Sequence, residues 1–459
     1  MVMDIQAELI DKYGAAAPRY TSYPPANHFH ENTALLPSLQ QFFKQPDNLV
    51  LPYSLYLHFP YCTELCYFCG CNMEINHSGN KVSRYVDWLL KDIEAWAKLI
   101  GQRVPVCEIH FGGGSPSDLS EVQMQRILDT LKRHFAWQND LKLSIEIDPR
   151  HVTQAAQAER WIQQGFNRIS LGLQDFDPQV QKAVNRIQPK DQTFQTYRWF
   201  KVRGIASINV DLIYGLPHQS AKTFANTLEQ VLELSPDRIA LFQFAYLPKL
   251  KKHHKLIDEA AMPSAAVRLE LFNMALRTLL QHGYEYLGMD HFAKHTDSLA
   301  VAAREKRMGR NFQGYHEGLS EHMIGFGISS IGVLGHLYFQ NTKGVAYYEQ
   351  KLAVGDLPIE RGYVMSKDDL LRRHIIERMM CDFALDFEAV EKQYGISFND
   401  YFATELSELI QMQDDGLLFL TFEGLQVSPQ GKHFIRFICK CFDVYARAGK
   451  LSVHHMKTV

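Results

Sequence analysis

With 459 residues, 46% hydrophobic and 22% charged, and a formal net charge of −3, the chain has room for one large domain plus a smaller one, and its charge gives no reason to expect a polyanionic partner. The start, MVMDIQAELIDKYGAAAPRY, has acids early and lacks the basic-then-apolar layout of a signal peptide, and no run approaches the roughly 18–20 apolar residues of a membrane span. The expected compartment is the cytoplasm, where thiols stay reduced, which weighs against disulfides among the eight cysteines.

After an arm over residues 1–50, the first predicted strand is YSLYLHF (53–59). It runs into a loop that places four cysteines, Cys62, Cys66, Cys69 and Cys71, within ten residues. A helical pattern follows over 81–100, then the strand VCEIHF (106–111), the glycine-rich GGGSPSDLS, and the helical EVQMQRILDTLKRHF. Four more strands are predicted at 141–148, 167–174, 206–215 and 238–246, separated by helical segments. Short β-branched runs alternating with amphipathic helices imply an α/β fold with a parallel sheet, and six such units before residue 290 suggest a barrel or an incomplete barrel. Each unit ends in polar or glycine-rich residues: the cysteines, Gly112 to Ser115, Glu146 and Asp148, Gln174 and Asp175, Asp211, and Gln243. In parallel barrels the active site lies at that rim. Residues 290–345 are mixed, and the catalytic unit is expected to span 51–355. From 356 to 459 the pattern is mostly helical with one hairpin, a winged-helix-like layout. Its 12 Lys/Arg against 15 Asp/Glu from Glu360 onward argue against nucleic acid.

The cysteine spacing leaves three answers: a disulfide knot, a zinc site or an iron–sulfur cluster. Cys62-x3-Cys66-x2-Cys69 is not the repeated C-x2-C pair of a zinc site, whereas three thiolates on one short loop can wrap a [4Fe–4S] cluster and leave one iron open. In an extended loop the side chains of Cys69 and Cys71 diverge, so Cys71 is expected near the site without a ligand role. Cys107, Cys381, Cys439 and Cys441 are scattered and read as buried free thiols.

This loop after the first strand, with Phe68 before the third cysteine and GGGSP following, resembles the signature of radical S-adenosylmethionine enzymes. PRYTSYP, YLHFPYC, CYFCGC, HFGGGSP, EIDPR, GFNRISLGLQDF, VNRIQ, DLIYGLP, GMDHFA, RNFQGY and CFDVYAR extend the likeness over nearly the whole chain. Together they resemble the oxygen-independent coproporphyrinogen III oxidase (dehydrogenase) family. That resemblance implies an incomplete parallel (β/α)6-type radical SAM barrel with a helical C-terminal domain. It also implies conversion of two propionates of coproporphyrinogen III to vinyls in haem biosynthesis. The cofactors it implies are a [4Fe–4S] cluster on Cys62, Cys66 and Cys69 and two S-adenosylmethionine molecules. By the same resemblance, Tyr56, Gly113, Glu146 and Ile331 fall at positions that contact the first molecule. Phe68, Gly114, Ser115, Gln174, Arg186, Asp211 and Ala245 fall at positions for the second. The glycines would let backbone amides approach a carboxylate, and Arg186 would fork onto one.

Arg19 and Arg310 are candidate partners for substrate propionates, and His58, His110 and His291 are given no proton-transfer role. The expected state is a monomer served by an electron donor such as flavodoxin or ferredoxin. The alternatives within the same superfamily are a haem chaperone and a haem-degrading methyltransferase, with a winged-helix regulator more remote.

Overall fold

In the computed structural model, residues 7–13 and 17–447 are described. The six predicted strands form as β1 (Tyr53–Phe59), β2 (Pro105–Gly113), β3 (Ala136–Ile147), β4 (Arg168–Gln174), β5 (Ser207–Tyr214) and β6 (Arg238–Gln243). They lie side by side in chain order, every adjacent pair parallel. Helices cross between them because each carries one apolar stripe. Gly79–Ile100 buries Tyr85, Val86, Leu89, Ile93, Trp96 and Ile100, at the helical spacing that one packed face requires. Glu121–His134 starts at a capping box in which Ser120 accepts from the Gln123 amide.

The sheet is wider than the six units. Tyr284–Gly288 and His291–Lys294 extend it antiparallel beyond β6, and His322–Phe326 adds a parallel strand beside β1. Three antiparallel strands then continue from that side, ending with Ile359–Val364. The twelve strands form one open run that does not close on itself, which makes the barrel incomplete. The residues read as mixed thus build both flanks, and the main sheet runs past residue 356. β3 also begins at Ala136, before the expected 141, because Ala136 and Trp137 pair with Pro105 and Val106 in spite of the polar run that follows them.

Beyond the sheet, helix Lys367–Asp382 leads into a three-stranded sheet (Ala384–Asp386, Gly424–Val427, Leu418–Leu420) with helices Phe387–Tyr394 and Ala403–Asp414 between, a winged-helix order. The N-terminal arm spans both units. Tyr13 packs edge-on against Phe434 and Phe437, and Tyr20 donates to Asp443 at 3.1 Å. Arg19 meanwhile pairs with Asp290 beside the barrel. No helix among the described residues is long and apolar enough to cross a membrane.

Candidate active site

The interior of a parallel barrel is ordinarily filled by branched apolar side chains. Here alternate positions along β2 to β5 are polar instead: Glu108 and His110, Ser144 and Glu146, Arg168 and Ser170, Asn209 and Asp211. They line a cavity of about 480 Å³, within the size range of small-molecule sites. At its inner end Arg238 bonds Glu317 at 2.8 Å and Asp297 at 2.7 Å, while Arg168 pairs with the same Glu317. Burial alone would raise the Glu317 carboxyl, but the two guanidiniums outweigh it and hold it at about 2. Two cations meet two anions there, so the floor is electrically closed.

The cysteine loop forms the opposite end. Cys62, Cys66, Cys69 and Cys71 all line the cavity. Tyr67 and Phe68 anchor the loop against Val180, Val184, Phe244 and Ile257, and the Tyr67 amide donates to the Val184 carbonyl at 2.9 Å. Cys66 is buried and receives two guanidinium contacts, from Arg186 at 3.5 Å and Arg150 at 3.6 Å. Burial, with the neighbouring Cys69 and Cys66, pushes the Cys62 thiol up to about 12. Cys71 hydrogen-bonds the Cys69 sulfur and so lowers Cys69 to about 7. The expected divergence of Cys69 and Cys71 is therefore overturned: the chain turns through 67–68 and bends at 71–72, so strand alternation does not apply. Among the described residues no three Cys, His, Asp or Glu groups converge tightly enough for a single metal ion. Three sulfurs spread along one cavity wall, with cationic donors behind them, suit a polynuclear cluster better.

The glycine-rich turn after β2 has a different role from the one expected. The Gly113 amide donates to the Glu146 carboxylate at 3.0 Å, Gly114 to the Phe59 carbonyl at 2.6 Å, and Ser115 to the Tyr61 carbonyl at 2.8 Å. These amides are engaged within the fold and not held ready for a carboxylate ligand. A Cβ on Gly114 would lie 2.6 Å from the Tyr61 carbonyl oxygen, and one on Gly113 2.6 Å from the His58 ring. Their lack of side chains lets the turn seat against the root of the cysteine loop.

Arg186 is likewise committed. Its fork closes on Asp148, at 3.1 and 3.3 Å, and it donates to the Gly172 carbonyl at 2.6 Å. Asp148 also takes Arg150 at 2.7 Å, and although burial opposes it, the two guanidiniums hold its carboxyl well below the usual range. Gln174 sits at φ +72°, and its Oε1 is buried without a hydrogen-bond partner among the described residues. Such a strained residue with an unused acceptor on a cavity wall points to a donor supplied by a ligand. Glu146 is 40% exposed to the cavity. Burial works against its ionisation, but His110 and the Gly113 amide more than compensate and lower its carboxyl. Asp211 goes the other way, raised to about 7 by burial and by Glu146, against hydrogen bonds from Asn209 at 2.8 Å and Ser170 at 3.3 Å.

Three expected site residues lie off the cavity wall. Tyr56 stacks on His110 and donates to His58 Nδ1 at 3.1 Å; His58 Nε2–H in turn donates to the Asn72 carbonyl at 2.8 Å. Tyr56 thus reaches the cysteine loop through His58. Ile331 packs with Tyr56 on the small Phe29–Met323–Tyr338 cluster, and half-buried Ala245 follows β6. Of the two arginine candidates, Arg19 is spent on Asp290. Arg310 is buried, lies over the Tyr315 ring and keeps one Nη1 without a partner among the described residues. Arg150, in EIDPR, and Glu317 join the site only in the fold, Arg150 on the cavity wall and Glu317 beneath Arg168 and Arg238.

Comparison with known proteins agrees with this geometry. The Radical SAM superfamily matches residues 56–231, and the HemN C-terminal domain matches 365–434. Oxygen-independent coproporphyrinogen III oxidases from Salmonella typhimurium and Synechocystis are 40% identical over 445 residues and 43% identical over 449 residues. The two alignments cover 97% and 96% of this chain, and 96% of each relative. The solved coproporphyrinogen III oxidase of Escherichia coli superposes with a TM-score of 0.91 at 38% identity, covering 97% of this chain and 100% of that one. With its cysteine loop set at one end of a polar, incomplete parallel barrel, the chain belongs to the oxygen-independent coproporphyrinogen III oxidase family of the radical SAM superfamily.

Proposed function

We propose that the chain decarboxylates two propionates of coproporphyrinogen III to vinyl groups, giving protoporphyrinogen IX without oxygen. The observation that carries this reading is the cysteine loop opening onto a polar barrel chamber, in a chain 40% identical to oxidases of that name over 97% of its length. Each propionate becomes a vinyl with release of one carbon dioxide, one proton and two electrons. Cys62, Cys66 and Cys69 would hold a [4Fe–4S] cluster, and the chamber would take two S-adenosylmethionine molecules. When bound, the cluster and S-adenosylmethionine supply a carbon-centred radical able to take hydrogen from an unactivated C–H bond.

The chain's own residues bind, orient and exclude water. Glu146, ionised and facing the cavity, accepts from an ammonium or ribose hydroxyl, and the unused Gln174 Oε1 accepts a hydroxyl proton. Arg186 and Arg150 direct guanidinium N–H groups at the Cys66 sulfur and the Asp148 carboxylate in preference to a ligand carboxylate. Asp211, with Asn209 and Ser170, offers a carboxyl able to hold or release a proton near neutrality. Arg310 lies off the chamber wall over the Tyr315 ring, so its open Nη1 is not placed to meet a substrate carboxylate there. Fixing one C–H bond against the radical is where most of the rate gain lies.

The test is anaerobic incubation of the reconstituted chain with S-adenosylmethionine and reductant, following 5′-deoxyadenosine. Cleavage stimulated by coproporphyrinogen III supports the reading. Cleavage indifferent to coproporphyrinogen III and responsive to haem would replace it.

A further inference from the structure

Outside the cavity, one surface adjoins the cysteine loop directly. The segment Lys249–Lys255, KLKKHHK, carries four lysines and two histidines without an acid. His253 Nε2 lies 2.8 Å from the Cys69 carbonyl, and Lys251 Nζ donates to the Cys71 carbonyl at 2.8 Å. The turn is therefore fastened to the backbone of two of the four loop cysteines. Lys249, Lys252 and Lys255 remain exposed, and Leu250 and Leu256 stand out beside them at 47% and 58% exposure. Lys182 and Ile187 are exposed on the neighbouring turn, which holds the loop through Asn185 and the Leu65 carbonyl (2.8 Å). Lys343 is exposed on a third side, where the Asn72 side chain donates to its carbonyl at 3.4 Å. The nearby acids are few: Glu64 is paired with Arg150, Asp258 caps the next turn, and Glu259 follows it.

We propose that this face docks an acidic one-electron carrier protein. The inference rests on the function proposed above, which needs an electron delivered at the cysteine loop. The carrier would give up one electron, and a cluster on the loop cysteines would accept it. Lysines around exposed apolar side chains match a redox encounter surface, where charge steers approach and a small apolar centre holds the pair. Electron transfer weakens steeply with distance, and a protein seated on Leu250 and Leu256 stands against the turn that touches Cys69 and Cys71.

The probe is a recombinant flavodoxin, titrated by flavin fluorescence against the full reconstituted chain at low and high salt. The triple variant Lys249→Glu, Lys252→Glu, Lys255→Glu is expected to bind at least about tenfold more weakly at low salt, the loss of a steering field. Added salt should erase the difference. Lys392→Glu, on the C-terminal unit, should bind as the parent does, and dithionite-driven activity should persist in all three proteins. Absence of binding by the parent, or binding that the triple variant keeps, overturns the proposal. A parent that binds flavodoxin but fails to cleave S-adenosylmethionine with dithionite would overturn the proposed function and leave the docking face standing.

Discussion

Arg186 and Asp148 meet as a two-pronged ion pair, Nη1–Oδ2 at 3.1 Å and Nη2–Oδ1 at 3.3 Å, and the same guanidinium reaches the Cys66 sulfur at 3.5 Å. Arg150 closes on Asp148 from the other side. One carboxylate thus holds two cations beside the Cys66 thiol. Asp148→Asn leaves the buried Arg186 without its counter-charge and Arg150 with only the exposed Glu64, and is expected to cost about 3–5 kcal/mol in urea unfolding. Because the folded carboxyl lies below its ordinary value, the contribution is present above about pH 4 and is lost as pH falls below that. A variant within 1 kcal/mol of the parent, roughly the level of a surface pair, would contradict this.

Gly113 combines φ +116° with a Cβ position 2.6 Å from the His58 ring, and that ring is fixed between Tyr56 and Asn72. Gly113→Ala should lose about 1–3 kcal/mol of stability and bind less iron on reconstitution. Gly101→Ala, at φ +79° with open space around it, should cost only about 1 kcal/mol and keep its iron. Equal iron in both would show that the glycine turn does not seat the cysteine loop.

Asp92 is buried with Oδ2 accepting from Gly327, Asn341 and Tyr348, while Oδ1 has no partner among the described residues. Burial raises its carboxyl to about 7. Below about pH 4 the group is protonated folded or unfolded; above that the fold disfavours its ionisation, so stability declines as pH rises toward 7. Asp92→Asn should remove a slope on the order of 2–4 kcal/mol between those limits. Parallel urea midpoints for parent and variant across that range would refute the assignment.

The six central strands were legible because each is a short apolar run between turn residues, and the cysteine spacing marked the site. The flanking strands were not, since segments such as His322–Phe326 become strands only by pairing with a neighbour distant in sequence. The polar alternation in VCEIHF and LSIEID pointed to a chamber along the strands, whereas only strand ends were read. Glu317 went unread because nothing local ties it to Arg168 and Arg238; only the fold brings them together. The engagement of the Gly113, Gly114 and Ser115 amides within the fold is not legible in the sequence, because spacing does not show where a backbone donor finds its acceptor.

The thiols separate by role. Cys62→Ser, Cys66→Ser and Cys69→Ser should each abolish bound iron and the cluster's visible absorption after anaerobic reconstitution. Cys71→Ser, whose hydroxyl keeps a donor for the Cys69 sulfur, should retain both. Iron lost from Cys71→Ser but kept in Cys69→Ser would exchange their roles.

The most direct measurement is mass spectrometry of the porphyrins formed from coproporphyrinogen III under strict anaerobiosis, in parent and Cys66→Ser. The account predicts loss of two carboxyl groups with matching vinyls in the parent and unchanged substrate in the variant. Intact coproporphyrin from a parent that carries its cluster and cleaves S-adenosylmethionine would contradict it.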